Sequence, residues 1–206
     1  MTLIAILDLT AVLVFAVTGA LLAGRKQMDV FGMFVVSFTT GVGGGTIRDV
    51  LLDRPVFWLV DGRYLAAALV ATAIVFAFGA RIERLGRPLA WADALGLAVA
   101  VPLGVAAARS VDAAWPIALA MGVITGSFGG VVRDVICREP PMILHREVYA
   151  TAALGGAAIN LAAYALTAEP MLAAAFCALT TFTIRGAALL RGWSAPRPKG
   201  LRGAPR

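Results

Sequence analysis

Long apolar stretches alternate with short polar turns along the chain. A transmembrane helix needs about 20 predominantly apolar residues. Seven stretches approach or exceed that length: 3–23, 30–52, 64–80, 90–108, 113–137, 148–167 and 171–190. Glycines, followed by an arginine and an aspartate, interrupt the second and fifth stretches. The pattern therefore predicts seven transmembrane helices, two of which carry charged side chains at membrane depth.

The second and fifth stretches contain the same motif. Residues 40–59 and 125–144 are identical at nine of twenty aligned positions, at a constant offset of 85 residues. The same offset pairs Asp8 with Asp93. These matches indicate an internal duplication. We predict two three-helix repeats and one further helix, at about 3–87, 88–167 and 171–190.

Each repeat holds three helices, so the second repeat enters the membrane from the side opposite to the first. Such inverted repeats are related by a two-fold axis in the membrane plane. We therefore predict an all-α membrane protein whose residues 1–190 form a single transmembrane domain. The basic segment 191–206 contains three prolines and three glycines, which is typical of a disordered tail.

The glycines suggest interruptions in the second and fifth helices. Three consecutive glycines disfavour a helix by about 3 kcal/mol relative to alanine, and non-helical backbone at membrane depth lines a cavity or is buried in protein. A charged side chain at that depth costs at least ~2.5 kcal/mol and normally faces a pathway or the bundle interior. Alternatively, the small residues only let helices pack closely. The candidate pore-lining or gating residues are Gly43, Gly44, Gly45, Arg48, Asp49, Phe128, Gly129, Gly130, Arg133 and Asp134.

The two arginines of the motifs need partners of opposite charge. Neighbours in sequence do not face each other on a helix, so we expect each arginine to pair elsewhere than with the next residue. An inverted repeat offers Asp134 to Arg48 and Asp49 to Arg133. Two aspartates of the first and fourth helices compete as partners: Asp8 and Asp93.

Composition and charge agree with a membrane domain. Hydrophobic residues make up 60% of the chain and the mean hydropathy is +0.86, whereas soluble domains contain about 45–50% apolar residues. The net charge of +6 lies in short loops and the tail, so it indicates membrane topology and no nucleic-acid partner. Twelve basic residues flank one side of the predicted bundle and three flank the other. This bias predicts an outer N-terminus and a cytoplasmic C-terminus in a bacterial-type inner membrane.

The residues that carry chemistry in enzymes are sparse. No lysine followed by serine or threonine comes after the glycines, as a phosphate-binding loop requires. Cys137 and Cys177 lack the spacing of a metal or redox motif, and His145 has no second histidine beside it. We therefore predict no enzyme, no metal site and no cofactor.

The duplicated glycine-rich, Arg-Asp motif on seven spans resembles the prokaryotic branch of the trimeric intracellular cation (TRIC) channel family, over nearly the whole chain. The resemblance implies a homotrimer, surrounded by membrane lipids, in which each protomer carries its own pore. It implies permeation of potassium and other monovalent cations, such as sodium, past the candidate residues named above. Phe128 departs from the family pattern because it replaces the first glycine of the second triplet. Its ring either narrows the pathway or packs beside it.

Two functions remain open from the sequence. The same type of domain has been labelled a glycine transporter, and inverted repeats also suit a secondary transporter of a small amino acid. A bare arginine in a pore repels cations, so either aspartates neutralise Arg48 and Arg133 or one of them acts as a movable gate. The resemblance favours the channel and leaves the transporter as the alternative.

Overall fold

The computed structural model describes residues 3–144 and 148–194. Within those ranges the chain forms seven α-helices, each long and apolar enough to cross a membrane. The helices are α1 (Leu3–Arg25), α2 (Val30–Leu51), α3 (Arg63–Glu83), α4 (Pro88–Arg109), α5 (Trp115–Ile136), α6 (Ala150–Thr167) and α7 (Pro170–Arg191). Their number and type confirm the predicted all-α fold of seven transmembrane helices. His145 and residues 195–206 of the predicted tail lie outside the described residues.

Local sequence explains several helix ends. The side chain of Asp29 accepts a hydrogen bond from the backbone N–H of Gly32 at 2.7 Å, which caps the start of α2. Pro88 and Pro170 open α4 and α7, where proline's missing N–H is not needed. Gly192 ends α7 with a φ of +66°, a left-handed conformation that glycine adopts without strain.

The second and fifth helices run through their glycines without interruption, which corrects the predicted breaks. Close contact between the two helices explains this continuity. A side chain on Gly44 would collide with the carbonyl oxygen of Thr125, and one on Gly129 would collide with that of Thr40. These two glycines therefore let two helical backbones touch, as small residues do in membranes. Tertiary contact outweighs the low helix propensity of glycine here.

The contacts between α2 and α5 are reciprocal. Thr40 meets Gly129, and Thr125 meets Gly44; the 85-residue offset converts the first contact into the second. A two-fold axis between the helices produces this kind of reciprocity. The order of the contacts along the two helices is antiparallel, so the axis lies across the helices. The duplication seen in sequence thus extends to individual backbone contacts.

The seventh helix packs on the second repeat. It packs against α4 and α6 of the second repeat, where Trp91 and Phe182 bring their ring centroids to 6.2 Å. Helix α4 is buried between α1, α5, α6 and α7, with Leu97, Val101 and Val105 in the core. Within residues 3–144 and 148–194, the second repeat is therefore covered by a helix that has no counterpart on the first.

Candidate functional site

The first charged cluster joins α1, α2 and α3. The side chain of Arg48 donates from Nε to Oδ1 of Asp49 at 2.8 Å, and the backbone N–H of Phe57 donates to Oδ2 of the same carboxylate at 3.1 Å. The Nη1 of Arg48 lies 3.9 Å from Oδ1 of Asp8. The hydroxyl of Tyr64 donates to Oδ2 of Asp8 at 3.1 Å. The cluster thus ties the arginine to the 3₁₀ turn that follows α2.

The second charged cluster repeats this arrangement with tighter contacts. The side chain of Arg133 donates from Nε to Oδ1 of Asp134 at 2.8 Å, and the backbone N–H of Met142 donates to Oδ2 at 3.0 Å. The Nη1 of Arg133 donates to Oδ1 of Asp93 at 2.8 Å and to Oγ1 of Thr18 at 2.9 Å. Both Arg133 and Asp93 have no exposed side-chain surface. This arginine is therefore held from α1, α4 and α5 at once.

The ion pairs of Arg48 and Arg133 form within their own repeats, which corrects the predicted pairing of these arginines across repeats. Arg48 contacts Asp49, and Arg133 contacts Asp134, although each pair is adjacent in sequence. The rule that neighbours do not face each other concerns the directions of their Cβ atoms. The long stem of arginine lets the guanidinium turn back to the neighbouring carboxylate.

A cavity of about 190 Å³ lies beside the first cluster. We call it the first vestibule. Both charged and apolar side chains line it, so it offers polar surface within the bundle. Its lining residues are Asp8, Arg48, Arg54, Phe57, Leu103, Ala106, Ala107 and Ser110.

A second cavity, of about 430 Å³, lies at the opposite end of the bundle. This second vestibule is lined by Leu89, near the start of α4, whereas the first vestibule is lined by Ala106 near its end. At 1.5 Å per residue the two positions are about 25 Å apart along the helix. The second vestibule reaches Asp134, but the space around Arg133 leaves no room for a water molecule. The two charged clusters therefore differ in their access to solvent.

Polar bridges lie at the mouths of both vestibules. In the first, Nη1 of Arg54 donates to Oγ of Ser110 at 2.8 Å. In the second, Nζ of Lys26 lies 2.6 Å from Oε1 of Glu139. The hydrogen bond from Lys26 holds the pKa of Glu139 below its usual range. Arg54 and Glu139 are 85 residues apart, so the duplicated position carries opposite charges at the two mouths.

Known proteins share this fold and sequence. A family model described as Glycine transporter matches the chain twice, over residues 5–80 and 90–165, at the offset of the duplication. The UPF0126 inner membrane protein YadS of Escherichia coli K12 is 44% identical over 186 residues, covering 89% of this chain and 90% of the relative. The UPF0126 membrane protein YvgT of Bacillus subtilis is 34% identical over 161 residues, covering 76% and 79%.

Solved structures with the same fold decide the family. A TRIC trimeric intracellular cation channel orthologue from Rhodobacter sphaeroides superposes with a TM-score of 0.89 and 42% identity, covering 93% of this chain and 100% of the other. The chain belongs to the prokaryotic TRIC channel family. A structure described in terms of conductance through TRIC cation channels gives a TM-score of 0.88 at 34% identity, covering 98% and 100%. The predicted family is confirmed.

The remaining candidate residues lie around the crossing of α2 and α5 in this TRIC chain. A Cβ atom added to Gly43 would lie 3.4 Å from the Cα of Gly129 on α5. Gly45 lies against the ring of Phe57, because a Cβ atom added to Gly45 would lie 2.6 Å from Cε1 of that ring. Gly130 lies beside the second charged cluster, and Phe128 is partly buried in α5. The structure thus groups the candidates around one crossing, while their role in permeation stays a prediction.

Sequence reasoning missed three residues that shape the TRIC site. Thr18 bonds Arg133 from the opposite repeat, Arg54 lies at the mouth of the first vestibule, and Phe57 places its ring 5.6 Å from the guanidinium of Arg48. Only the offset could have drawn attention to Phe57, because it follows its motif at the same distance as Met142. Thr18 lies opposite a leucine in the duplication, so no identity marks it.

The possible metal-ligating side chains in the described part of the chain do not gather into a metal site. Within residues 3–144 and 148–194, no three side chains of His, Cys, Asp or Glu come close enough to hold a metal ion. The charged clusters of this TRIC chain instead pair carboxylates with guanidinium groups. Their chemistry is that of ion pairs between fixed charges inside a membrane.

Proposed function

We propose that this protein is a cation channel that conducts K⁺ and other monovalent cations, such as Na⁺, across a bacterial inner membrane, and that it is no enzyme. The observation that carries the proposal is the full-length similarity to the cation channel of Rhodobacter sphaeroides. The name of the Escherichia coli relative supports the inner membrane as its location. The proposed pathway connects the two vestibules past the crossing of α2 and α5.

The balance of fixed charges supports passage of cations. In the first vestibule the charges of Arg48 and Arg54 meet those of Asp8 and Asp49, so the guanidinium groups are compensated. In the second cluster one arginine lies between two aspartates, which leaves an excess of carboxylate. Carboxylates favour cations in channels, whereas uncompensated arginines exclude them.

The proposed assembly is a homotrimer with one pathway in each protomer. The Rhodobacter sphaeroides relative is described as trimeric, which supports this state. Light scattering of the detergent-solubilised protein, corrected for bound detergent, should give three times the chain mass of 21.4 kDa. A mass of one or two chains would refute the trimer.

The proposed topology places the N-terminus outside and the C-terminus in the cytoplasm, as the distribution of basic residues indicates. Val60 and Leu85 suit a labelling test because each is 77% exposed. The native Cys137 and Cys177 are buried, so they add little background. A membrane-impermeant thiol reagent applied to intact spheroplasts should label Val60→Cys and spare Leu85→Cys. Labelling of both, or of Leu85→Cys alone, would contradict the proposed topology.

The decisive functional experiment records currents from the purified protein in planar bilayers. With K⁺ on both sides, we expect steady single-channel currents. Under a KCl gradient, the reversal potential should lie close to the equilibrium potential of K⁺. Vesicles prepared without the protein provide the baseline. If bilayers whose protein content has been verified by gel carry no ion current, the channel function is refuted.

One observation favours a second function, the transport of a small zwitterion such as glycine. The first vestibule presents an aspartate, Asp8, and two arginines, Arg48 and Arg54, around about 190 Å³. A carboxylate and an ammonium group of one ligand could each meet an opposite charge there. The description of the family model as Glycine transporter points the same way. Gradient-driven accumulation of radiolabelled glycine in proteoliposomes, without single-channel currents, would replace the channel with the transporter.

A further inference from the structure

The two arginines of the duplicated motif are restrained to different degrees. Arg133 makes hydrogen bonds of 2.8–2.9 Å from both Nε and Nη1, to Asp134, Asp93 and Thr18. These three partners belong to three different helices. Moving the Arg133 guanidinium would break all of them in a space without room for water.

Arg48 has a freer guanidinium. Its Nε is held by Asp49 at 2.8 Å, but its Nη1 is 3.9 Å from Asp8, beyond hydrogen-bond distance. Its side chain lines the first vestibule, a cavity of about 190 Å³, so the guanidinium has space beside it. Rotation about the stem can move this guanidinium into the vestibule while breaking one hydrogen bond.

A single duplicated position accounts for much of this contrast. Thr18 on α1 supplies the hydroxyl that accepts from Arg133. The matching position on α4 is Leu103, which lines the first vestibule together with Arg48. A leucine has no acceptor, so Arg48 lacks the cross-repeat contact that fixes Arg133. This difference lies outside the glycine and Arg-Asp motif.

We propose that Arg48 is the movable gate of the first vestibule and that Arg133 is a fixed structural residue. This inference rests on the proposed channel function. In the closed state the guanidinium of Arg48 extends into the vestibule and repels cations by its charge. In the open state it folds back onto Asp8 and Asp49, whose carboxylates neutralise it. Leu103 allows both positions because its side chain accepts no hydrogen bond from the guanidinium in either.

The matched test exchanges the side chain opposite Arg48. Leu103→Thr supplies the hydroxyl found at Thr18. In Leu103→Val the valine side chain has nearly the shape of threonine but carries no hydroxyl. A hydrogen bond to a charged group is worth about 1.5 kcal/mol, or about tenfold in a two-state equilibrium. Leu103→Thr is therefore expected to change the open probability in planar bilayers by up to about tenfold relative to Leu103→Val. Equal open probabilities in the two variants would overturn the proposal.

The second arm removes the gating charge. Arg48→Gln should raise the open probability or unitary conductance for K⁺ several-fold and lower the melting temperature less than Arg133→Gln does. Arg133→Gln should lower the melting temperature without that gain in conductance. Wild-type-like currents from Arg48→Gln, or increased currents from a folded Arg133→Gln protein, would overturn the assignment of the gate. Absence of K⁺ currents from the wild-type protein would overturn the channel function itself, which keeps the two failures distinct.

Discussion

The two charged clusters descend from one duplicated motif and have become different sites. Each contains an Arg-Asp neighbour pair and a backbone N–H that donates to the aspartate from a 3₁₀ turn. The first cluster lines a vestibule, and 17% of the side chain of Asp8 is exposed. In the second cluster Asp134 borders the second vestibule, whereas Arg133 and Asp93 have no exposed side-chain surface. The motif alone therefore does not determine whether the site is open to solvent.

The surroundings of the motif determine that difference. Helix α7 packs against α4 and α6 of the second repeat, and there the guanidinium of Arg185 lies 5.1 Å from the ring centroid of Tyr149. Thr18 adds a hydroxyl to the second cluster, where the first has Leu103. A duplicated protein can thus keep one copy as a rigid anchor while the other copy retains access to solvent.

The largest expected effect is the difference in lost stability between alanine variants of the two arginines. Arg133→Ala leaves two carboxylates buried, and breaking a buried pair costs about 3–5 kcal/mol. Arg48→Ala should cost less than half as much, because Arg54 lies 3.9 Å from Asp49 and can replace the lost charge. Thermal unfolding in detergent measures both losses.

A double-mutant cycle sharpens this result. Arg133→Ala combined with Asp93→Ala should recover part of the loss, because fewer carboxylates then lack a partner. Additive shifts in melting temperature would contradict the coupling between Arg133 and Asp93. Equal losses for Arg48→Ala and Arg133→Ala would remove the contrast between the clusters.

The helix crossing should respond symmetrically, unlike the charged clusters. Gly44→Ala and Gly129→Ala each drive a methyl group into a facing carbonyl oxygen, and overpacking of this kind costs about 1–3 kcal/mol. Gly43→Ala serves as the control, because its new methyl group would lie in ordinary contact at 3.4 Å. Melting temperatures of the three variants test the two-fold relation. Tolerance of alanine at only one of the two crossing glycines would break the symmetry.

Much of this architecture could be predicted from the sequence, because hydropathy and an 85-residue offset are properties of the chain itself. The seven helices and the duplicated Arg-Asp motif follow from those patterns. The continuity of α2 through Gly44 could not be predicted, since propensity penalises glycine and only the facing backbone of α5 shows why it is needed. The pairing of Arg48 with Asp49 also depends on the reach and rotamer of a long side chain, which spacing does not encode.

The contrast between the two charged clusters could not be predicted from the sequence either. Leu103 and Thr18 occupy equivalent positions but differ in sequence, so a search for identical residues passes over both. Their importance appears only when the structure places one beside Arg48 and the other beside Arg133. Differences between repeats therefore carry as much functional information here as the shared motif does.

A smaller effect tests Thr18 directly. Thr18→Val removes the hydroxyl that accepts from Nη1 of Arg133, while Asp93 still accepts from the same atom. The expected loss is about 1 kcal/mol, the usual net value of one hydrogen bond. Leu103→Val, at the equivalent position, controls for a change in apolar volume. Unfolding curves that show no loss for Thr18→Val would mean that this hydroxyl does not help to fix Arg133.

The smallest effect is expected at the mouth of the second vestibule and depends on pH. The hydrogen bond from Lys26 lowers the pKa of Glu139 in the folded protein. A carboxyl with a lowered folded-state pKa adds stability above its unfolded-state pKa, and that stability is lost as the pH falls through the folded-state value. The melting temperature of wild type should therefore slightly exceed that of Glu139→Gln at pH 7.

Acidification should remove this small difference. As the pH falls from the ordinary glutamate pKa of about 4.3 through the lowered folded-state value, wild type and Glu139→Gln should converge, because protonated glutamate and glutamine are both neutral. Lys26→Met removes the same bridge and should show the same pH dependence. Exposed ion pairs contribute little, so the shift is expected to be the smallest of the series. A difference that persists unchanged at low pH would show that the Glu139 side chain acts through packing, and the opposite charges at the two mouths would then have no part in stability.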